Sequence, residues 1–352
     1  MKKFFSKYLS TKAVKDCVIV DTLGSDLGAK PLITGALEAH LEKKIPITLI
    51  GDESQILKLA KRYKLSAKSF SIINCTNQVS MSDTVVTAVK TREQNSIKTA
   101  FKLLQEEKGA ALVSAGNTAA IMAIGVLEAG TFSGIARPAI ATALPTFNNK
   151  GTVILVDSGA NVDCNAYQLV QFALMGSAYN SFLTGAKSPA VAILSNGSEP
   201  SKGNDVTKSA AIMMAQNPDI NFCGYVEGCD ITAHKADVVV TDGFVGNIVL
   251  KTMEGTAQTV LRAIKQRKKK TLLSKVGFSL VGEEIKALFD EALTPHAYGG
   301  APLLGLKKLV LVCHGRANKT AVKNAVESAY SLYKDNLLKK MEDILERFEI
   351  EK

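Results

Sequence analysis

CVIVDTLGSD (residues 17–26) decides how the rest of the chain is read. Three β-branched residues follow Cys17, the run stops at Asp21, and small polar residues and glycine come next. A short apolar run bounded by turn residues reads as a buried strand. The same design recurs in ALVSAGNT (111–118), ILVDSGANVD (154–163), AILSNGSE (192–199), VVVTDGFVGN (238–247) and LVCHGRAN (311–318). A helix-like stretch usually follows each run. In an open α/β sheet, such strand-to-helix turns gather at the carboxyl ends of the strands, where ligands bind. Glycine lets backbone approach a ligand closely, and helix N-termini favour anions. Six turns of this kind predict a deep site lined by Asn, Asp, Ser, Lys and His, suited to an anionic substrate.

Working outward, strands at 17–21, 46–51 and 309–313 alternate with helices at 31–43, 53–63, 93–108 and 319–334. The alternation predicts a layered α/β fold with a mostly parallel sheet. Residues 1–16 read as a basic N-terminal tail, 17–335 as one catalytic α/β domain, and 336–352 as a charged, peripheral C-terminal helix. A helical excursion at 256–296 interrupts the rhythm.

The chain has 352 residues, 46% of them hydrophobic and 22% charged, which is ample for a large core. The 43 Lys and Arg exceed the 33 Asp and Glu, a net charge of +10. A basic balance suits acidic partners: nucleic acid, an anionic membrane surface or an acidic carrier protein. None of the six cysteines forms a CxxC pair, so they read as small buried hydrophobes in a reducing cytoplasm. The positive N-terminus lacks a signal-peptide core. No apolar stretch approaches the ~18–20 residues of a membrane span.

The excursion carries Arg262, Lys265, Arg267, Lys268, Lys269, Lys270 and Lys275, with no acidic residue between Gly255 and Gly282. Leu272, Leu273, Val276, Phe278 and Leu280 follow the basic cluster. Basic residues beside an apolar face describe an amphipathic element lying on an anionic bilayer. Each Lys or Arg near such a surface contributes about 1 kcal/mol. A solvated helix face over the core or over a dimer interface is the second reading. A nucleic-acid patch is disfavoured, because no aromatics interleave with the charges.

Several signatures are missing. There is no G-x-G-x-x-G after the first strand and no P-loop. There is no H-E-x-x-H and no G-x-S-x-G. The four histidines, His40, His234, His296 and His314, are not spaced as a metal cluster. These absences point to chemistry done by positioning and electrostatics on an anion, with no cofactor, no metal and no covalent enzyme intermediate.

The motifs SAGNT (114–118), RPAIATALPT (137–146), GANVD (159–163), QFALMGSAY (171–179), KGN (202–204), VEGCDI (226–231), DVVVTDGFVGNIVLKTMEG (237–255), YGGAPLLG (298–305) and HG (314–315) occur in this order. Together they resemble the bacterial acyl-acyl-carrier-protein:phosphate acyltransferase family. The resemblance implies a three-layer α/β/α fold similar to isocitrate and isopropylmalate dehydrogenases and to phosphotransacetylases, and a homodimer. It implies a reaction in which long-chain acyl carrier protein and inorganic phosphate give acyl phosphate and free carrier protein, for phospholipid synthesis. A downstream glycerol-3-phosphate acyltransferase would take the product. The resemblance also implies a cytoplasmic protein held peripherally on the inner face of the cell membrane. Departures are Ser25 in DTLGSD, Ala119 after SAGNT, Ser198 in SNGSE, Cys229 in VEGCDI and Arg316 after HG.

The reaction needs phosphate held near the thioester carbonyl, a stabilised oxyanion and a protonated leaving thiol. Ser114, Gly116, Asn117 and Thr118 are the candidate phosphate cradle. Asn161, Asp163 and Asn247 are candidate donors and orienters, and Arg137 either anchors phosphate or closes a loop. Lys202 is the cation for phosphate or oxyanion, and His314 the acid for the leaving thiol. Asp157 and Asp242 either orient Lys202 or His314 or cap helices. Two other functions stand beside this one: a phosphotransacetylase-like enzyme using a coenzyme A thioester, and a non-catalytic membrane-associated binder of acyl carrier protein. A nicotinamide-dependent dehydrogenase would need clustered metal-binding aspartates and an adenine loop, which the sequence lacks.

Overall fold

A computed structural model describes residues 16–66, 68–90, 94–146, 151–268 and 299–347. The span read above as one domain packs as two compact units, the first holding the described residues up to 140 and those from 299 onward, the second those of 141–268. The basic tail, apart from Asp16, and most of the 256–296 excursion, including Lys269, Lys270, Leu272, Leu273, Val276, Phe278 and Leu280, lie outside the described residues.

The first unit holds β1 (Val18–Asp21), α1 (Ala29–Lys43), β2 (Ile47–Gly51), α2 (Glu53–Arg62), β3 (Ser71–Asn74), α3 (Val85–Lys90), α4 (Ser96–Gln105), β4 (Ala111–Ser114), α5 (Thr118–Ala129) and the start of β5 (Ala139–Pro145). From the C-terminal part come β10 (Ala301–Leu304), β11 (Leu309–Val312), α10 (Lys319–Lys334) and α11 (Leu337–Leu345). The strands are ordered β3-β2-β1-β4-β11-β10. All pairs from β3 to β11 are parallel, and β10 runs antiparallel to β11. Every residue of β1, β4 and β11 is buried, as expected of parallel strands covered by helices on both faces. Parallel pairing brings the carboxyl ends of these strands to one edge, with Asp21, Ser114 and Val312 in register.

Several helices start where a side chain satisfies a free N–H group. Asp52 caps α2 and Asn95 caps α4. The cap at Asn95 explains why α4 is shorter than the 93–108 stretch expected from its pattern, and Glu107, at φ 54°, lies beyond its far end. The C-terminal α11 is more than a solvated appendage: Leu337, Met341 and Leu345 are all buried.

The second unit contains the remainder of β5, then β6 (Thr152–Val156), α6 (Ala166–Thr184), β7 (Ala190–Leu194), α7 (Asp205–Gln216), β8 (Asn221–Val226), α8 (Gly228–Thr232), β9 (Val238–Val240) and α9 (Gly243–Lys268). Its order is β5-β6-β9-β7-β8, with only the β5–β6 pair antiparallel. Leu144, Val153, Leu155, Ala192 and Val239 belong to its core, and Val249, Leu250 and Met253 of α9 pack against it. α6 is buried continuously from Gln168 to Asn180, so it shows no polar stripe. No helix among the described residues is long and apolar enough to cross a membrane.

Candidate active site

In the first unit, three loops leave the same sheet edge. β1 ends in Asp21, whose carboxylate is buried. The Leu23 N–H donates to Oδ1 at 3.1 Å and the Ser114 hydroxyl donates to Oδ2 at 2.9 Å. Burial pushes Asp21 up to about 6, against the pull of these hydrogen bonds. The Gly116 N–H in turn donates to Ser114 Oγ at 3.2 Å. Gly24, at φ +80°, allows the β1 loop to meet this turn: a Cβ there would lie 3.1 Å from Gly116 Cα. The loop after β11 joins them, since the Ser25 hydroxyl and the Asp26 N–H both donate to the Gly315 carbonyl at 2.9 Å.

Asn117 caps α5 by accepting from the Ala120 N–H at 3.1 Å. Its Nδ2 lies 3.2, 3.3 and 3.1 Å from the carbonyls of Ser80, Met81 and Asp83. That side chain holds two chain segments together, so it serves the cradle as a strut. Thr118 is the first residue of α5 and half-buried. His314 is exposed, and its Nδ1 accepts from the Arg316 N–H at 3.0 Å. A neutral ring so bonded carries its proton on Nε2. Arg137 is exposed on an apolar groove.

The second unit gathers Asp157, Asn161, Asp242 and Asn247. Asp157 is fully buried behind a cis Val156–Asp157 peptide bond. Its carboxylate accepts from the N–H groups of Gly159 (3.1 Å), Ala160 (3.0 Å) and Asn161 (2.7 Å), and from Asn161 Nδ2 (2.8 Å). These bonds offset the cost of a buried charge. Asp242 Oδ1 accepts from the Val245 N–H at 2.8 Å. The GFVGN stretch, expected as a turn, is therefore the beginning of α9, with Asn247 exposed on its second turn beside Gly159. Of the two roles open to Asp242, the structure displays the capping one. Asp163 is exposed.

Lys202 stands in the same unit, in the loop between β7 and α7. Asn196 Oδ1 accepts from the Gly203 N–H at 2.9 Å, and Asn204 caps α7 through the Thr207 N–H at 2.9 Å. The Lys202 side chain is exposed, and its ammonium makes no ion pair among the described residues. One group among the described residues has metal-ligand spacing, Glu227, Cys229 and Asp230. Asp230 is already taken by Lys235 at 2.7 Å, which holds its carboxyl below the usual range.

The structure thus groups Ser114, Gly116, Asn117, Thr118 and His314 in one unit and Asp157, Asn161, Asp242, Asn247 and Lys202 in the other. Asp21 is absent from the candidates drawn from sequence, although it ends a buried strand just as Asp157 does. That was the signal available for it.

Comparison with known proteins adds the rest. The fatty acid synthesis protein family matches residues 17–340. A phosphate acyltransferase of Geotalea uraniireducens is 39% identical over 329 residues, covering 94% of each chain. One from Syntrophotalea carbinolica is 41% identical over 312 residues, covering 89% of each. Among solved structures, a phosphotransacetylase from Streptococcus pyogenes aligns with a TM-score of 0.59 at 18% identity, covering 91% of this chain and 94% of that one. One from Staphylococcus aureus aligns at 0.57 and 16%, covering 92% and 96%. At such identities the likeness shows the fold alone.

Proposed function

The chain belongs to the fatty acid synthesis protein family, and we propose that it is a phosphate acyltransferase acting on the thioester of a long-chain acyl carrier protein. The observation that carries this reading is identity near 40% along almost the whole chain to phosphate acyltransferases. In the reaction, an oxygen of inorganic phosphate attacks the thioester carbonyl carbon. The C–O bond forms, the C–S bond breaks, and the sulfur leaves as a thiol after taking a proton. The product is an acyl phosphate.

Inorganic phosphate is itself partly dianionic near neutral pH, so the protein's task is placement more than deprotonation. Positioning alone supplies roughly 7–11 kcal/mol in well-oriented systems. The head of α5, with Gly116 and Thr118, is a helix N-terminus suited to an anion, and the Asp21–Ser114 bond holds it. Lys202, in the second unit, presents an exposed positive charge suited to an anion. The Nε2–H of His314 hydrogen-bonds the leaving sulfur, and the proton that the thiol takes comes from the attacking hydrogen phosphate. Asp157 and Asn161 act on the fold of their own loop, and Asn247 flanks it.

The net charge of +10 supports an acidic carrier protein as partner. The polybasic stretch that begins at the end of α9 supports contact with an anionic membrane from the cytoplasmic side. The product, a reactive mixed anhydride, would pass to a glycerol-3-phosphate acyltransferase. The test is acyl phosphate formation by the purified protein from inorganic phosphate and palmitoyl carrier protein, with palmitoyl coenzyme A in parallel. Product from the carrier thioester supports the proposal. Product from coenzyme A alone replaces it with a phosphotransacetylase-like activity, and product from neither leaves only a binding role.

A further inference from the structure

α3 and α5 wall an open groove of about 440 Å³. That volume falls within the ~300–1,000 Å³ of ordinary small-molecule sites. Val85, Val86 and Val89 come from α3, and Met122, Val126 and Leu127 from α5. Val86 is 58% exposed and Leu127 67%, so among the described residues nothing covers these apolar walls. Lys90 and Arg137 are the charged residues of the lining, and no acidic residue joins them. Among the described residues neither cation makes an ion pair. Apolar walls with unpaired cations complement an amphiphile with a hydrocarbon tail and an anionic head.

The groove is also built into the cradle described above. α5 presents Gly116–Thr118 at its head, and its groove-lining residues begin at Met122, one helical turn or ~6 Å further along. Asn117 fixes the 80–83 turn against that same head, and α3 starts two residues later. One rigid helix therefore carries both a phosphate turn and an apolar wall.

We infer that this groove binds the hydrocarbon chain of a long-chain acyl phosphate whose phosphate lies at the Gly116–Thr118 turn, Arg137 and Lys90 adding positive charge along the groove. The identity of the ligand rests on the acyl-transfer reading, whereas the apolar, cationic character of the groove does not. Ala123, half-buried in the groove lining, is the position at which a larger side chain fills the space.

The experiment has two readouts on the full-length protein: binding of cis-parinaric acid, a fluorescent fatty acid, and the ratio of kcat/KM for palmitoyl over octanoyl carrier protein. In Ala123→Phe, probe binding falls and the ratio drops by tenfold or more, with octanoyl turnover retained. Displacing about two buried methylenes is enough for roughly tenfold. Val126→Asp, at a solvent-facing position that does not burden the fold, weakens the probe as well. A wild-type protein that does not bind the probe overturns the assignment. So does an active Ala123→Phe with unchanged binding and ratio, which leaves the acyl-transfer reading standing. A variant that alters only the oligomeric state would also overturn it, making the groove an interface between copies. Probe binding lost in both variants, in a wild-type protein that makes no acyl phosphate, would uphold the groove and sink the acyl-transfer reading instead.

Discussion

The Ser114 hydroxyl donates to Asp21 Oδ2 at 2.9 Å, across 93 residues of sequence. The two residues end neighbouring parallel strands in register, so the bond locks the starts of two loops that line the same edge. Ser114 also accepts from the Gly116 N–H, which fixes the first glycine of its own turn. The serine thus shapes the cradle from beneath, and the carboxylate it bonds is held high, at about 6, by burial.

Such a carboxylate makes stability depend on pH. Its ordinary value is 3.8, and the folded protein raises it to about 6. Between those values the folded state binds more protons than the unfolded one, so this group's contribution falls as pH rises and stays low above about 6. Asp21→Asn removes the dependence. Urea unfolding of both proteins at several pH values should show the wild type losing up to about 3 kcal/mol relative to Asp21→Asn between pH 4 and 6.5. A constant difference across that window would show that Asp21 titrates normally.

Asn117 makes a different prediction, because its work is divided. Its oxygen caps α5, and its amide nitrogen holds three carbonyls of the 80–83 turn. Asn117→Ala loses both and should cost about 2–3 kcal/mol of stability. Asn117→Asp keeps the capping oxygen and places charge against the carbonyls, so it should recover less than half. Unfolding midpoints of the three proteins decide it: equal stability of Asp and Asn would mean the cap alone matters.

These two residues also mark what the sequence discloses. The strands were legible because buried parallel strands leave continuous apolar runs, as in Val18–Asp21 and Val238–Val240. The turns after them were legible from glycine, Asn and Ser. The start of α9 was not, because GFVGN has turn composition while Asp242 supplies the cap that makes it helical. The tie from Asn117 to Ser80, Met81 and Asp83 was not, since nothing local announces a partner more than thirty residues away. The division into two units was invisible for a related reason: β5 runs from one unit into the next without any linker composition.

Two glycines of α9 should respond in opposite directions to alanine. At Gly243 a Cβ would lie 2.7 Å from the Asn161 backbone and 2.9 Å from Asp157 Oδ2. Gly243→Ala forces the buried Asp157 loop away and should destabilise by about 1–3 kcal/mol. At Gly255 a Cβ meets nothing within 4 Å. Gly255→Ala should stabilise by about 0.5–1 kcal/mol through lower chain entropy and better helix propensity. Thermal unfolding of each variant checks the signs.

The polybasic stretch gives a charge-dependent prediction. Lys268, Lys269 and Lys270 are consecutive, and each adds about 1 kcal/mol at an anionic surface. Replacing all three by Glu should abolish sedimentation with phosphatidylglycerol vesicles, and raised salt should mimic the change in the wild type. Equal binding to neutral phosphatidylcholine vesicles would assign the interaction to apolar residues instead.

Lys202 separates catalysis from folding most cleanly. Its side chain is exposed and makes no ion pair among the described residues, so Lys202→Ala should leave the unfolding midpoint unchanged. If its ammonium meets charge developing on the thioester oxygen, kcat should fall roughly 10²-fold or more, since preorganised donors at an oxyanion are worth that much. If it serves only to hold ground-state phosphate, KM for phosphate should rise while kcat persists. Lys202→Arg restores charge with a different geometry, and should rescue the phosphate-holding role better than the oxyanion role. Steady-state rates against phosphate concentration for the three proteins separate the two, and kinetics identical to wild type in Lys202→Ala would remove the residue from the site.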